Sequence, residues 1–144
     1  MKLGSVSTLV VPAPGADPII GRIDRAAALG LSVIGIGFRD NQDSGYMASV
    51  AEAAAKRGVE LRTSSGGRLG SANAEERKAD VARSIEYIQN VYRHAGITFS
   101  SIVNGPMSHN RWSPEPPMDE RIGIIAESLA TIAEAEKVSK TQVT

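Results

Sequence analysis

Side chains able to do chemistry concentrate between Ser100 and Pro117, in the stretch SSIVNGPMSHNRWSPEPP. This stretch holds the only tryptophan and one of the two histidines of the chain. His109 can donate a hydrogen bond or shuttle a proton, because histidine is the side chain that changes charge near neutral pH. Arg111 can hold a carboxylate or phosphate, and Trp112 can stack on the face of a ring. Asn104 stands where the apolar part of the stretch ends, so it joins the candidate site residues.

A purely structural interpretation of these residues stays open. Trp112 can pin the loop to the protein, and His109 can be a solvated loop residue. Arg39 and Asp40 present the same pair of alternatives, because they directly follow the apolar run SVIGIGF. They either bind a substrate or form a surface ion pair worth about 0–1 kcal/mol.

A glycine-rich stretch, SSGGRLG, follows the third apolar run. Glycines expose backbone N–H groups, which invites a phosphate-binding interpretation. The stretch lacks both the GK[ST] ending of a P-loop and the G-x-G-x-x-G spacing of a dinucleotide site. We therefore predict a mobile loop between a strand and a helix, with a phosphate cradle as the alternative.

The composition excludes several classes of partner and site. The chain has 144 residues, 42% of them hydrophobic, and a formal net charge of +0. Balanced charge without a basic run predicts neither a nucleic-acid partner nor a membrane partner. With no cysteine there is no disulfide, no thiolate metal site and no cysteine nucleophile. Pro12 interrupts the short apolar run at the amino terminus too early for a secretory signal, so we expect a cytoplasmic protein.

Three predicted helices end in the same way, with a glycine that an apolar strand follows at once. The stretches are ALGL around Gly30, KRGV around Gly58 and HAGI around Gly96. Glycine at such a position predicts a left-handed residue that closes the helix. Short turns of this kind between helices and apolar strands indicate an α/β fold with a parallel sheet.

The same alternation of helices and apolar strands predicts one α/β domain over residues 1–138 and a polar tail over 139–144. Asp17 before a proline predicts the start of the first helix, and Asn73 predicts the start of the third, since both side chains can cap an amino terminus. The predicted elements are β1 over 3–11, α1 over 18–29, β2 over 32–38, α2 over 45–57, β3 over 59–64, α3 over 74–95, β4 over 97–103 and α4 over 118–137.

Two α/β folds suit this pattern. A small doubly wound sheet fits the length of the chain. The front half of a (β/α)8 TIM barrel fits equally well, because a whole barrel typically takes about 250 residues. Each strand–helix unit looks the same in both folds, so the periodicity does not separate them.

Several stretches of the sequence follow one another in an order that resembles a known protein family. MKLGSVST, AAALGLSVIGIGF, AAAKRGVELRTSSGG and YRHAGITFSSIVNG follow one another and precede SPEPPMDERIGIIAESLATIAEAE. In this order they resemble the first four units of the xylose isomerase-like TIM barrels, the sugar phosphate isomerase/epimerase group. The resemblance implies a divalent metal (Mn, Mg, Co or Zn) held by Glu, Asp, His and Glu at the ends of strands five to eight. No residue here matches those ligands, so we expect this chain alone to hold no metal.

The resemblance also implies a function. We expect part of a metal-dependent sugar or polyol isomerase, epimerase or dehydratase, in which this segment supplies loops that contact a sugar or sugar-phosphate-like molecule. One alternative is a non-catalytic half-barrel subunit, and another is a small doubly wound binding domain. Because an open half-barrel exposes strand edges, we expect a homo-oligomer or a missing second half-barrel.

Overall fold

The structure, a computed structural model, describes residues 4–6, 9–38, 43–97, 99–104 and 117–137. Strands and helices alternate along these residues. The elements are β1 (Gly4–Val6), α1 (Ile20–Ala28), β2 (Val33–Ile36), α2 (Ser44–Lys56), β3 (Glu60–Gly67), α3 (Ala74–Ala95), β4 (Phe99–Asn104) and α4 (Met118–Lys137). Of the helices in this described part of the chain, none combines the length and the apolarity that a membrane crossing requires.

The strands form one sheet in the order β1-β2-β3-β4. β1 pairs with β2 and β2 pairs with β3 in parallel, and Ile34 lies opposite Leu61 in the register. The prediction of an α/β fold with parallel strands is confirmed. A doubly wound sheet reverses its strand order at a switch point. The described strands follow one another without a reversal, as successive units of a barrel do.

The three glycines predicted to end helices all have left-handed backbones. The φ angles are +74° at Gly30, +66° at Gly58 and +62° at Gly96. After α2, the N–H of Val59 donates to the Ala54 carbonyl at 3.0 Å and the N–H of Gly58 to Ala55 at 3.1 Å. This pair of bonds satisfies the last helical carbonyls and turns the chain directly into the next strand. The prediction for these glycines is confirmed.

The chain divides into two compact units, of which the first comprises Met1–Ser64 and Asn90–Ser100. Its core contains aliphatic side chains from successive elements, including Ile23 of α1, Ile34 of β2 and Val50 of α2, all fully buried. The carboxylate of Asp17 accepts the N–H groups of Ile19 at 2.9 Å and Ile20 at 2.7 Å, which confirms its predicted role at the start of α1.

The second unit comprises Ser65–Gln89 and Ser101–Thr144. Leu69, Ile88 and Ile132 are fully buried within it. The hydroxyl of Ser128 in α4 donates to the Leu69 carbonyl at 2.9 Å, so α4 is tied to the segment between β3 and α3. Asn73 caps α3 as predicted, because its side-chain oxygen accepts the N–H groups of the first turn. Whether residues 1–138 act as one domain stays a prediction.

Replacing Gly58 by alanine should lower the free energy of unfolding by about 1 kcal/mol, since a residue with a Cβ is strained at a left-handed position. Nothing lies within 4 Å of the added Cβ, so the cost comes from the backbone alone. Gly123→Ala is the matched control: it lies inside α4 with equally open surroundings, and it should stabilise the protein by up to about 1 kcal/mol. Urea denaturation measures both, and the same sign for the two variants would contradict this account.

Candidate functional site

Alternate residues of β3 have opposite environments within the first unit. Leu61 and Thr63 are buried, with exposed fractions of 8% and 1%. Glu60, Arg62 and Ser64, which point to the other face of the sheet, are half-buried or exposed. We call Glu60, Arg62 and Ser64 the polar row of β3. In a barrel the helices cover the outer face of the sheet, so the less buried face corresponds to the barrel interior.

An ion pair occupies the first two positions of the polar row. Nε and Nη2 of Arg62 lie 2.8 Å and 2.7 Å from the same Glu60 oxygen. The two side chains are 47% and 31% exposed, so the pair itself adds little to stability. It fixes the orientation of the guanidinium group instead. Arginine has five N–H donors, and its remaining donors can serve a hydroxyl or an anion.

The neighbouring strand leaves space beside this arginine. Gly35 of β2 lies opposite Arg62 in the register and carries no side chain, and Val33 lies opposite Glu60. A Cβ at Gly37, the next residue of that face, would meet nothing within 4 Å. The surface beside Arg62 therefore combines a fixed cation, the Ser64 hydroxyl and open space towards the carboxyl ends of the strands. Such an arrangement suits the recognition of a polyhydroxylated or anionic small molecule.

Asp17 connects the start of α1 with the start of α2. Besides its two backbone bonds, its carboxylate accepts the Tyr46 hydroxyl, at 3.0 Å to Oδ1 and 3.1 Å to Oδ2. Burial would raise the pKa of the Asp17 carboxyl, but the bonds from Ile20, Tyr46 and Ile19 outweigh burial and hold the pKa below its ordinary value. This carboxylate stabilises the segment that follows β1, on the side of the sheet where chemistry collects in parallel α/β folds.

In the second unit, the Asp80 carboxylate likewise accepts hydrogen bonds from a loop backbone and from a side chain. Its side chain is 8% exposed and lies 2.9 Å from the guanidinium of Arg83. It accepts the backbone N–H of Arg68 at 2.7 Å, directly after the end of β3. A Cβ at Gly67 would approach Asp80 to 2.8 Å, so the glycine permits this close approach. The glycine-rich stretch is thus built around an internal carboxylate.

The Asp80 carboxylate argues against a phosphate cradle in the stretch SSGGRLG. The Arg68 N–H, which a cradle would offer to a phosphate, is already donated to Asp80. Glu76 adds a second negative charge, because its Oε2 lies 3.2 Å from Nη1 of Arg68. Ser64–Gly67 belong to β3, so the first part of the stretch is extended backbone. The geometry favours a self-contained turn over an anion site.

Most of the site residues predicted from sequence lie outside the described residues. Asn104 is the last residue of β4, at the strand end where the sequence places it. Its role, like that of the others, stays a prediction. The predicted residues beyond the described ranges are Arg39, Asp40, His109, Arg111 and Trp112.

Sequence reasoning did not single out the polar row or Asp80. Glu60 falls within the predicted β3, but only the burial of Leu61 and Thr63 decides which face of the sheet it occupies. The sequence VELRTS contains a signal for the polar row, because apolar and charged residues alternate in it, as in a strand with one buried face. The contact between Asp80 and Arg68 spans twelve positions along the chain and has no local signature.

A metal site does not fit the described residues. Among them no three His, Cys, Asp or Glu side chains come together in a group that could hold a metal ion. Carboxylates such as Asp17 and Asp80 are surrounded by N–H and O–H donors instead. We therefore derive no chemical step through a metal from these residues.

The fold defines the class: four successive parallel βα units, the architecture of half a TIM barrel. Comparison with solved structures agrees. D-psicose 3-epimerase with D-tagatose from Clostridium cellulolyticum H10 matches with a TM-score of 0.77 at 14% identity, over 99% of this chain and 51% of that chain. A 3-keto-D-glucoside 4-epimerase from E. coli matches at 0.69 and 19%, over 99% and 54%. An L-ribulose 3-epimerase matches at 0.71 and 20%, over 100% and 49%.

These matches confirm the resemblance to xylose isomerase-like TIM barrels at the level of the fold. The chain spans about half the length of each solved structure, as a half-barrel would. No protein-family model matches the chain, and no curated protein sequence matches it. The fold is therefore known from three-dimensional similarity rather than from sequence identity.

Tyr46→Phe should lower the free energy of unfolding by about 1 kcal/mol near neutral pH, since Asp17 loses one hydrogen bond. A lowered carboxyl pKa means that the charged form stabilises the fold above the ordinary value of 3.8 and that this stabilisation disappears as pH falls through the folded pKa. The difference from wild type should therefore shrink in acid. Urea denaturation at several pH values measures it, with Tyr92→Phe as the control. A pH-independent difference would contradict the role given to Asp17.

Asp80→Ala should destabilise the protein by about 2 kcal/mol, because it removes a buried acceptor from the Arg68 N–H. Glu75→Ala is the matched control in the same helix. Glu75 pairs with Lys78 at the same i, i+3 spacing, but its side chain is 83% exposed, and its loss should cost nearly nothing. Thermal and urea unfolding compare the two, and equal effects would show that Asp80 does not anchor the turn.

Proposed function

We propose that this chain forms half of a TIM barrel that binds a sugar or sugar-phosphate-like molecule and serves a sugar isomerase or epimerase. The fold similarity carries the proposal: several sugar epimerases share it over the whole of this chain. The polar row supports it, because barrel interiors are usually filled by bulky branched residues. A guanidinium in that place, beside glycines, is better suited to a polar ligand than to a core.

The polar row gives the chain a specific part in substrate binding. Arg62 is oriented by Glu60, and an arginine held in one geometry loses less entropy when it binds hydroxyl or phosphate oxygens. Ser64 lies two residues nearer the carboxyl end of the strand and can accept or donate a further bond. Together, Arg62 and Ser64 can hydrogen-bond to two neighbouring oxygens of a sugar. The other substrate contacts predicted for this chain are Arg39, Asp40, Asn104, His109, Arg111 and Trp112.

We assign substrate contacts rather than proton transfer to the described residues of this half. Epimerisation beside a carbonyl needs a positioned base to remove a proton and an acid to return it. Among the described residues, the carboxylates Asp17 and Asp80 already accept hydrogen bonds from backbone N–H groups of the protein, so their oxygens are engaged within the fold. The metal dependence that the resemblance implies would have to come from residues outside the described ones.

Binding of ketoses to the purified chain tests the proposal. Saturation-transfer NMR with D-psicose, D-tagatose and L-ribulose should show binding, and Arg62→Ala should weaken it by about tenfold or more, since charge-assisted hydrogen bonds are lost. Arg93→Ala is the control, because Arg93 is an exposed arginine in the last turn of α3. No binding of any ketose by wild type, or equal effects of the two variants, would refute the proposed site.

A non-catalytic half-barrel is the second candidate, because the polar row of β3 can account for sugar binding without any proton transfer. Incubation of a bound ketose in D₂O separates the two. An epimerase half in its working assembly should exchange deuterium into the carbon beside the carbonyl. A binding subunit should leave the sugar protonated while still giving the saturation-transfer signal.

A further inference from the structure

The face of the sheet that holds the polar row of β3 carries few charges. Residues that lie opposite each other in paired strands share one face of a sheet. The residues that the register places on this face beside Glu60 and Arg62 are uncharged: Gly4 and Val6 of β1, and Val33 and Gly35 of β2. Among the described residues of these three strands, this face therefore carries one negative and one positive charge, which cancel.

The two charges of the polar row are in direct contact. Nη2 and Nε of Arg62 lie 2.7 Å and 2.8 Å from the same oxygen of Glu60. An anion that binds to this guanidinium would lie beside the Glu60 carboxylate, because both would occupy the same small planar group. Like charges at such short separation repel each other, and most strongly where solvent is excluded. Glu60 therefore lowers the affinity of Arg62 for a phosphate group.

A neutral sugar meets no such repulsion. A hydroxyl group both donates and accepts hydrogen bonds, whereas the oxygens of an ionised phosphate mainly accept them. The polar row offers both kinds of partner, since the Arg62 guanidinium donates, the Glu60 carboxylate accepts and the Ser64 hydroxyl does either. This mixture of donors and acceptors matches a sugar hydroxyl better than it matches a phosphate.

We propose that Glu60 is a specificity-determining residue, which makes the polar row favour neutral sugars over phosphorylated ones. The inference rests on the proposed function, and it narrows the ligand of the polar row from a sugar or sugar-phosphate-like molecule to an unphosphorylated sugar. Glu60 then has two roles, because its carboxylate orients Arg62 and also repels anions. Glu60→Gln separates these roles, since an amide keeps an oxygen that can accept from Arg62 but has no charge.

Binding of D-tagatose and of D-tagatose 6-phosphate tests the proposal, because the two sugars differ only in the phosphate. Saturation-transfer NMR at low ionic strength gives both dissociation constants. Wild type should bind D-tagatose at least about tenfold more tightly than the phosphate ester. Glu60→Gln should strengthen binding of the ester by about tenfold, while its affinity for D-tagatose should change by less than about threefold.

Glu52→Gln is the matched control for this charge removal. Glu52 also lies 2.7 Å from a cation, the Nζ of Lys56, but both residues belong to α2 and their side chains are largely exposed. This variant should leave both dissociation constants unchanged. Equal affinities of wild type for the two sugars, or the same ratio of affinities in Glu60→Gln as in wild type, would overturn the proposal.

Inorganic phosphate provides a second measurement that involves no sugar. Line broadening in phosphorus NMR should show binding to Glu60→Gln but not to wild type, and added salt should weaken it. The double variant Glu60→Gln/Arg62→Ala should lose this binding, which would locate it at the polar row. If wild type binds no ketose but Glu60→Gln binds phosphate, the proposed function fails and the role of Glu60 stands. If Glu60→Gln gains no phosphate binding, the role of Glu60 is refuted even where ketoses bind.

Discussion

Burial of every second residue in β2 and β3 is the constraint on which the rest of the arrangement depends. Ile34 and Ile36 lie opposite Leu61 and Thr63, and all four are buried on one face of the sheet. A slip of one residue in this register would expose all of these side chains. With the register set, Glu60, Arg62 and Ser64 have only the other face available. The candidate site is thus a consequence of how the core is packed.

Two carboxylates hold the backbone around that sheet, one in each unit. Asp17 accepts backbone N–H groups at the start of α1 and the hydroxyl of Tyr46, and Asp80 accepts the N–H that follows β3. Each replaces the water that these backbone groups would otherwise bind. Asp17 and Asp80 therefore work as internal acceptors for loop backbone.

Local features were the most predictable from sequence. Left-handed glycines after three helices and the capping by Asp17 and Asn73 depend on a few neighbouring residues, and all were correctly predicted. The choice between a doubly wound sheet and a half-barrel was not predictable from the periodicity of βα units, because it depends on strand order. Contacts such as Asp80 with Arg68, or Tyr46 with Asp17, join distant positions and leave no spacing to recognise.

By itself, the sequence determined the class of the fold and the order of its elements. Apolar runs and helix-ending glycines depend only on neighbouring residues, so they can be recognised without the tertiary structure. It also determined, through the order of its stretches, the resemblance to sugar-isomerase barrels. Tertiary structure decided which face of the sheet Arg62 occupies and which residues of α4 are buried. Those outcomes depend on what packs against each strand and helix, and a periodic pattern does not specify the neighbour. Because β2 pairs with β3 and Leu61 and Thr63 are buried, Arg62 lies on the less buried face and becomes a candidate ligand contact.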